Sequence, residues 1–548
     1  MKSKFAFSII YGLTITMGLA SCAINLNNSS DNSEKPYVPE DPVITDPLSR
    51  FEYDGRYDDL EVSELTPVKS LYTYKDYDDN SYYHSQGYPQ GYSPNQGDAN
   101  YLIIPVWFND SDTFIKMENR ETVRDDIRKA YLGTEEETGW ESVKTYYAKD
   151  SFGNLNISGV VSDWYEIDKS YTDYFDGNAT NALVKSATKW YKETKNGGQP
   201  LTDFDCDKDG FLDSVILIYA APEYYSLIYS GMYGQDADIS NLWAYTSWIM
   251  DARLKNKYDP GPDTFFWASY DFMYGMNIAG LKTGKFTYGH GETEHVKIDS
   301  HTFIHETGHL FGLPDYYNYG GGKSYSLQFS MQDHNMGAHD PYSRFSLGWS
   351  KAYVPTETTK FTINTSEEDG NFILLSPQYN GSAFDEYLAI ELYSPTRLNE
   401  LDTTYNYSYY SKGPNATGAR MFHVDSRLFS YKTNKVTSNP KDKMIINATT
   451  NSDGNRSTDL AGKSEYKQLT GIRKGFRLTS EDGTSTTETR PSYIYNGDLF
   501  TTGDYFTMEK YATQFPEGKL LNNGLELGWA IYFDEVNSDS MTVTCIKL

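Results

Sequence analysis

His305-Glu306-Thr307-Gly308-His309-Leu310-Phe311-Gly312-Leu313-Pro314-Asp315 places two imidazoles, a carboxylate and a further acidic side chain in one short run. On an α-helix of 3.6 residues per turn, His305 and His309 fall one above the other on a single face, as two ligands of one metal ion must. Glu306 lies beside that face, where its carboxylate can take a proton from a water activated by the metal. Gly312 permits the positive-φ residue that ends such a helix, and Pro314 prevents it from resuming, so the chain can turn back and present Asp315 to the same ion. An HExxH run is expected roughly 0.01 times in a random chain of this composition. Seven of the nine histidines, His290, His295, His301, His305, His309, His334 and His339, share one stretch. A surface helix with two incidental histidines leaves that clustering unexplained, whereas a zinc peptidase site accounts for it.

The third ligand separates the classes of zinc peptidase. Thermolysin-like sites add a Glu from a later helix, but no Glu occurs between Glu306 and Glu357. Metzincins extend HExxH by xxGxx and a third ligand, then supply a Met-containing turn beneath the metal. The chain follows that pattern, with Met331 of Ser330-Met331-Gln332-Asp333 as the expected floor and Met336 as the fallback. Should Asp315 not be the third ligand, His334 or His339 would be the replacement.

The chain resembles the immune inhibitor A-like secreted metallopeptidases of bacteria, whose motif is HExxHxxGxxD. Similar segments include Asn154-Leu155-Asn156-Ile157-Ser158-Gly159 before Trp164-Tyr165, the acidic loop from Asp205 to Asp213, and Leu313-Pro314-Asp315-Tyr316-Tyr317. Leu347-Gly348-Trp349, Glu386-Tyr387-Leu388 and Phe422-His423-Val424-Asp425 extend the likeness, which runs from about residue 96 to the end. The resemblance implies a zinc endopeptidase with Asp315 as third ligand. One feature departs from some metzincins: the Tyr two residues after the turn Met is here Asp333, so no oxyanion-stabilising group carries over.

Lys2 and Lys4 precede an apolar stretch from Phe5 to Ala20, short for a membrane span but suited to a signal-peptide core. Leu19-Ala20-Ser21-Cys22 looks like a bacterial lipobox, in which Cys22 becomes the lipidated first residue of the mature chain. The expected location is the extracellular face of the bacterial membrane as a lipoprotein, or the medium if the signal is an ordinary secretory one. The net charge of −28 argues against nucleic acid and anionic lipid surfaces as partners, which leaves extracellular proteins or peptides as substrates and a lipid as the only membrane attachment. Besides Cys22 there are only Cys206 and Cys545, so the chain is no disulfide scaffold; two lone thiols are expected, with a single Cys206–Cys545 bridge as the alternative.

The expected organisation is a leader at 1–21, a Pro- and Asn-rich tether at 22–50, and a Tyr- and Asp-rich extension at 51–95. An α/β (α+β) metzincin-like catalytic domain at 96–350 follows, then a β-sandwich-like domain at 351–548. The extension is read as solvated or loosely docked. Its alternative is a latency segment, of which a cysteine-switch version is excluded because no Cys lies between Cys22 and Cys206. Asp205, Asp207, Asp209 and Asp213 around Gly210 repeat an EF-hand's alternate oxygens. The twelfth place is Ile216 in place of Glu, so the expectation is a structural calcium loop outside the EF-hand class. The competing reading is a surface adhesin or glycan-binding lipoprotein with a vestigial peptidase domain. Glu306 speaks against it, since a decayed site is free to lose its base first.

Overall fold

The computed structural model describes residues 54–78, 92–234, 236–274, 297–317, 327, 329–405, 412–430, 435–437, 444–446, 466–474 and 493–548. The leader, Cys22 and the tether lie outside the described residues. The fold is mixed α/β with several sheets, and no helix among the described residues is long and apolar enough to cross a membrane.

The first sheet comprises β1 (Gly97–Trp107), β2 (Leu155–Val161), β3 (Tyr165–Glu166), β4 (Val215–Tyr219), β5 (Tyr245–Trp248) and β6 (Thr264–Ser269). Its order is β2-β1-β4-β6-β5, with β3 pairing β1 beyond β2. Valine, isoleucine and leucine run through β4 without polar interruption, and all five of its residues are buried, as befits a parallel strand covered on both faces. Helices Arg120–Leu132, Val143–Asp150 and Gly177–Thr194 supply the crossovers that parallel pairing requires. The last buries Thr180, Leu183, Val184, Ala187, Thr188 and Tyr191 at helical spacing. Only β5 runs antiparallel, and it closes one edge of the sheet.

Beyond residue 350 come β7 (Ala352–Tyr353), β8 (Thr359–Asn364), β9 (Phe372–Leu375), β10 (Glu386–Tyr393) and β11 (Gly418–Asp425). Three short strands follow, β12 (Leu428–Ser430), β13 (Lys435–Thr437) and β14 (Met444–Ile446), which form a small sheet of their own. The chain ends in β15 (Leu469–Ile472), β16 (Tyr505–Thr507), β17 (Trp529–Val536) and β18 (Ser540–Lys547). One larger sheet has the order β15-β11-β10-β9-β7 and the other β16-β17-β18-β8. Leu388 and Ile390 of β10 pack with Ile531 of β17 and Val543 of β18 in a core between them. The alternate residues of the same strand, Tyr387, Ala389 and Tyr393, join the core of the first sheet instead. With side chains alternating across a strand, β10 is a wall shared by two cores. The expected boundary at 350 is thus a change in strand pattern, while the first core continues across it.

The described part of the extension, residues 54–78 and 92–95, touches the C-terminal half. Val62 bridges to Lys360 and Val68 to Ala352, so the chain lies along strand edges of the C-terminal half. Tyr74, 1% exposed, shares hydrogen bonds with the Tyr342 hydroxyl at 3.0 Å and the Gln468 amide at 3.0 Å. Tyrosine supplies the apolar area and the polar tip that such docking needs, which composition alone does not reveal. Cys206 and Cys545 are free thiols, as expected.

Candidate metal centre

The predicted helix around the motif spans His301–Leu310. It packs on β5, β6 and the helix Val143–Asp150 and is buried almost throughout, so its few polar side chains are there at a desolvation cost and need partners. Gly312 takes φ +96° just after the helix and returns the chain towards it, as its type predicts. That turn delivers Asp315 to the two histidines.

His305 Nε2 lies 2.9 Å from Asp315 Oδ1, His309 Nε2 lies 3.2 Å from the same oxygen, and the two imidazole nitrogens are 3.2 Å apart. Three donors about 2.0–2.2 Å from one tetrahedral ion are roughly 3.3 Å from one another, so these atoms converge as a metal's ligands do. The tautomers fit as well. His305 Nδ1 donates to the Met331 carbonyl and His309 Nδ1 to the Leu313 carbonyl, each at 2.7 Å, which leaves both Nε2 lone pairs for the centre. Glu306 holds a carboxylate oxygen within 4.8 Å of both imidazoles. Asp315 is nearer to both, so by distance Asp315 is the candidate third ligand, with Glu306 beside the three. Burial pushes the Glu306 carboxyl up, with the two histidines opposing. Burial disfavours charge on His309, yet the Asp315 carboxylate outweighs it and lifts the imidazole to about 9. The same imidazoles overcome burial at Asp315 and hold it well below the carboxylate range.

Met331 opens the short helix Met331–His334 and is fully buried; Met336 is buried too, and only Met331 offers its carbonyl to His305. Neither alternative histidine replaces Asp315. His339 is buried, with Nδ1 2.6 Å from Asp150 and Nε2 3.1 Å from Gln332 Oε1. His334 keeps Nδ1 on Asp333 at 2.7 Å.

Several supporting residues have no motif to announce them. A Cβ on Gly308 would sit 2.2 Å from Gln332 Oε1, so this glycine lets the methionine turn close on the helix. The Thr246 hydroxyl of β5 donates to the Glu306 carbonyl at 2.8 Å and ties the edge strand to the site. His301, one turn before His305, sits between Asp299 at 2.8 Å and Asp402 at 3.1 Å under a stacked Trp140 ring. Tyr317 faces His305 with ring centroids 6.2 Å apart. The histidine density in the sequence signalled His301; the others emerge only from packing.

Asp205, Asp207 and Asp209 bring one oxygen each within 4.8 Å of the others. Asp213 is not among the three, and its two oxygens accept from the backbone N–H groups of Cys206 and Asn100 at 2.8 and 2.7 Å. Burial, then the charges of Asp209 and Asp207, push Asp205 up to about 6. Its Oδ1 is buried without a hydrogen-bond donor, a carboxylate placed for a cation.

No protein-family model matches the chain, and no curated protein matches it either.

Proposed function

We propose that the protein is a zinc-dependent endopeptidase of metzincin-like type that cleaves extracellular proteins, and that it belongs with the immune inhibitor A-like enzymes its motif resembles. The convergence of His305 Nε2, His309 Nε2 and Asp315 Oδ1 within 2.9–3.2 Å, with Glu306 beside them, carries this reading. Bound zinc would supply Lewis acidity, polarising the scissile carbonyl and lowering the pKa of water. Glu306 takes the proton of the attacking water and then delivers it to the leaving amine nitrogen. Its burial favours the protonated form between those two transfers. His305 and His309 would hold the ion through Nε2, each with its Nδ1–H on a backbone carbonyl. The edge strand β5, tied to the site through Thr246, offers a strand edge against which an extended polypeptide can pair, which favours an endopeptidase over a small-molecule hydrolase.

The C-terminal sheets are read as a β-sandwich-like domain that braces the catalytic one, and the acidic loop as a structural calcium site of Asp205, Asp207 and Asp209. The leader and Cys22 support a secreted or lipid-anchored location. Hydrolysis of an unfolded protein substrate tests the activity. It is expected to stop with a zinc chelator and return with added zinc; hydrolysis indifferent to chelation, or none with zinc saturated, would overturn the reading.

A further inference from the structure

The acidic loop faces a lysine that belongs to a distant part of the chain. Lys75 Nζ lies 2.8 Å from Asp207 Oδ2 and 3.8 Å from Asp209 Oδ2. Its backbone is fixed by the buried Tyr74, and the same ammonium reaches the Tyr92 carbonyl at 3.4 Å. Behind the pair stands Asp205, 5% exposed, whose Oδ1 meets no donor among the described residues. Lys75 therefore neutralises the outer part of the loop and leaves one oxygen of the inner carboxylate, Asp205 Oδ1, without a donor, while Oδ2 accepts from the Gly210 N–H at 3.2 Å. A calcium ion needs six to eight oxygens and gains none from an ammonium. Two cations held within about 4 Å of the same carboxylates also repel strongly.

We propose that Asp205, Asp207 and Asp209 form a divalent-cation site for which calcium and Lys75 of the N-terminal segment compete, so that calcium loosens this segment from the catalytic domain. The inference rests on reading the loop as a calcium site. Calcium binding the inner carboxylate takes Asp207 and Asp209 from the lysine, so the segment loses its ion pair next to Tyr74 while it keeps the hydrogen bonds of Tyr74 and the bridges at Val62 and Val68. By linkage, whatever removes the lysine must tighten calcium by the factor that calcium weakens the lysine's hold.

The test is calorimetric titration of the zinc-saturated full-length protein with calcium chloride, combined with hydrogen exchange over residues 71–76. Lys75→Met is expected to bind calcium roughly fivefold more tightly, the factor a partly exposed ion pair sets. Calcium is expected to speed exchange of the segment in the parent and leave it unchanged in the variant. Lys255→Met, which removes a cation near Asp209 from outside the segment, controls for loss of charge alone. Equal tightening in both variants would overturn the proposal. Equal affinity of parent and Lys75→Met, with exchange unmoved by calcium, would overturn the competition while leaving the calcium site intact. If neither parent nor variant binds calcium, the loop is a turn and both readings fall.

Discussion

Asp315 places a single oxygen against both imidazoles, at 2.9 and 3.2 Å, and no Glu follows until residue 357 to take its role. Asp315→Ala is expected to weaken zinc binding by more than the roughly 10–100-fold that the loss of an outer partner alone produces. Competition against a chromogenic chelator measures it, and unchanged affinity would point to another ligand. His339 is a poor replacement, because Asp150 and Gln332 occupy both of its ring nitrogens. The motif made His305, Glu306, His309 and Asp315 legible, since spacing along a helix and a glycine turn fix where side chains go. Asp213 was less legible for the converse reason. Loop spacing says which oxygens are near, and only the folded loop shows that backbone amides already hold two of them.

At the scale of elements, the helix His301–Leu310 and the methionine turn close on each other because residue 308 has no side chain. Gly308→Ala would drive a methyl group into the buried Gln332, a collision that costs about 1–3 kcal/mol in packed interiors. A lower urea midpoint together with weakened zinc binding is expected, and Gln332→Ala added to it is expected to recover part of both. Full stability of the single variant would show that the turn can move aside. Strands and helices with strong periodicity were legible in sequence, among them β1, β4 and the helix Gly177–Thr194. The sharing of β10 between two cores was not, because a strand buried on both faces reads as one apolar run and does not say what each face meets. Nor was the docking of residues 54–78, whose contacts are bridges to strands some 300 positions away in sequence.

In the molecule as a whole, the C-terminal half reaches into the site through Asp402, which holds His301 at 3.1 Å and the Gly337 amide at 2.6 Å. Burial disfavours the His301 charge, but Asp402 and Asp299 outweigh it and raise the imidazole to about 10. A raised folded-state pKa gives stability that is complete below the unfolded value of about 6.5 and is lost as the pH climbs through 10. His301→Gln leaves two buried carboxylates without their cation, a loss of about 3–5 kcal/mol near neutrality. The gap between parent and variant in denaturant unfolding is expected to narrow from pH 7 to 10; a constant gap would show that His301 is neutral in the fold. On the proposed reading all these supports serve one arrangement, in which His305, His309 and Asp315 would hold a metal with Glu306 free to move protons. The most direct measurement is zinc content and peptide-bond turnover of full-length Glu306→Gln beside the parent. Equal zinc with turnover lower by about 10²–10⁴-fold or more is the expected result, and turnover equal to the parent's at equal zinc content would contradict it.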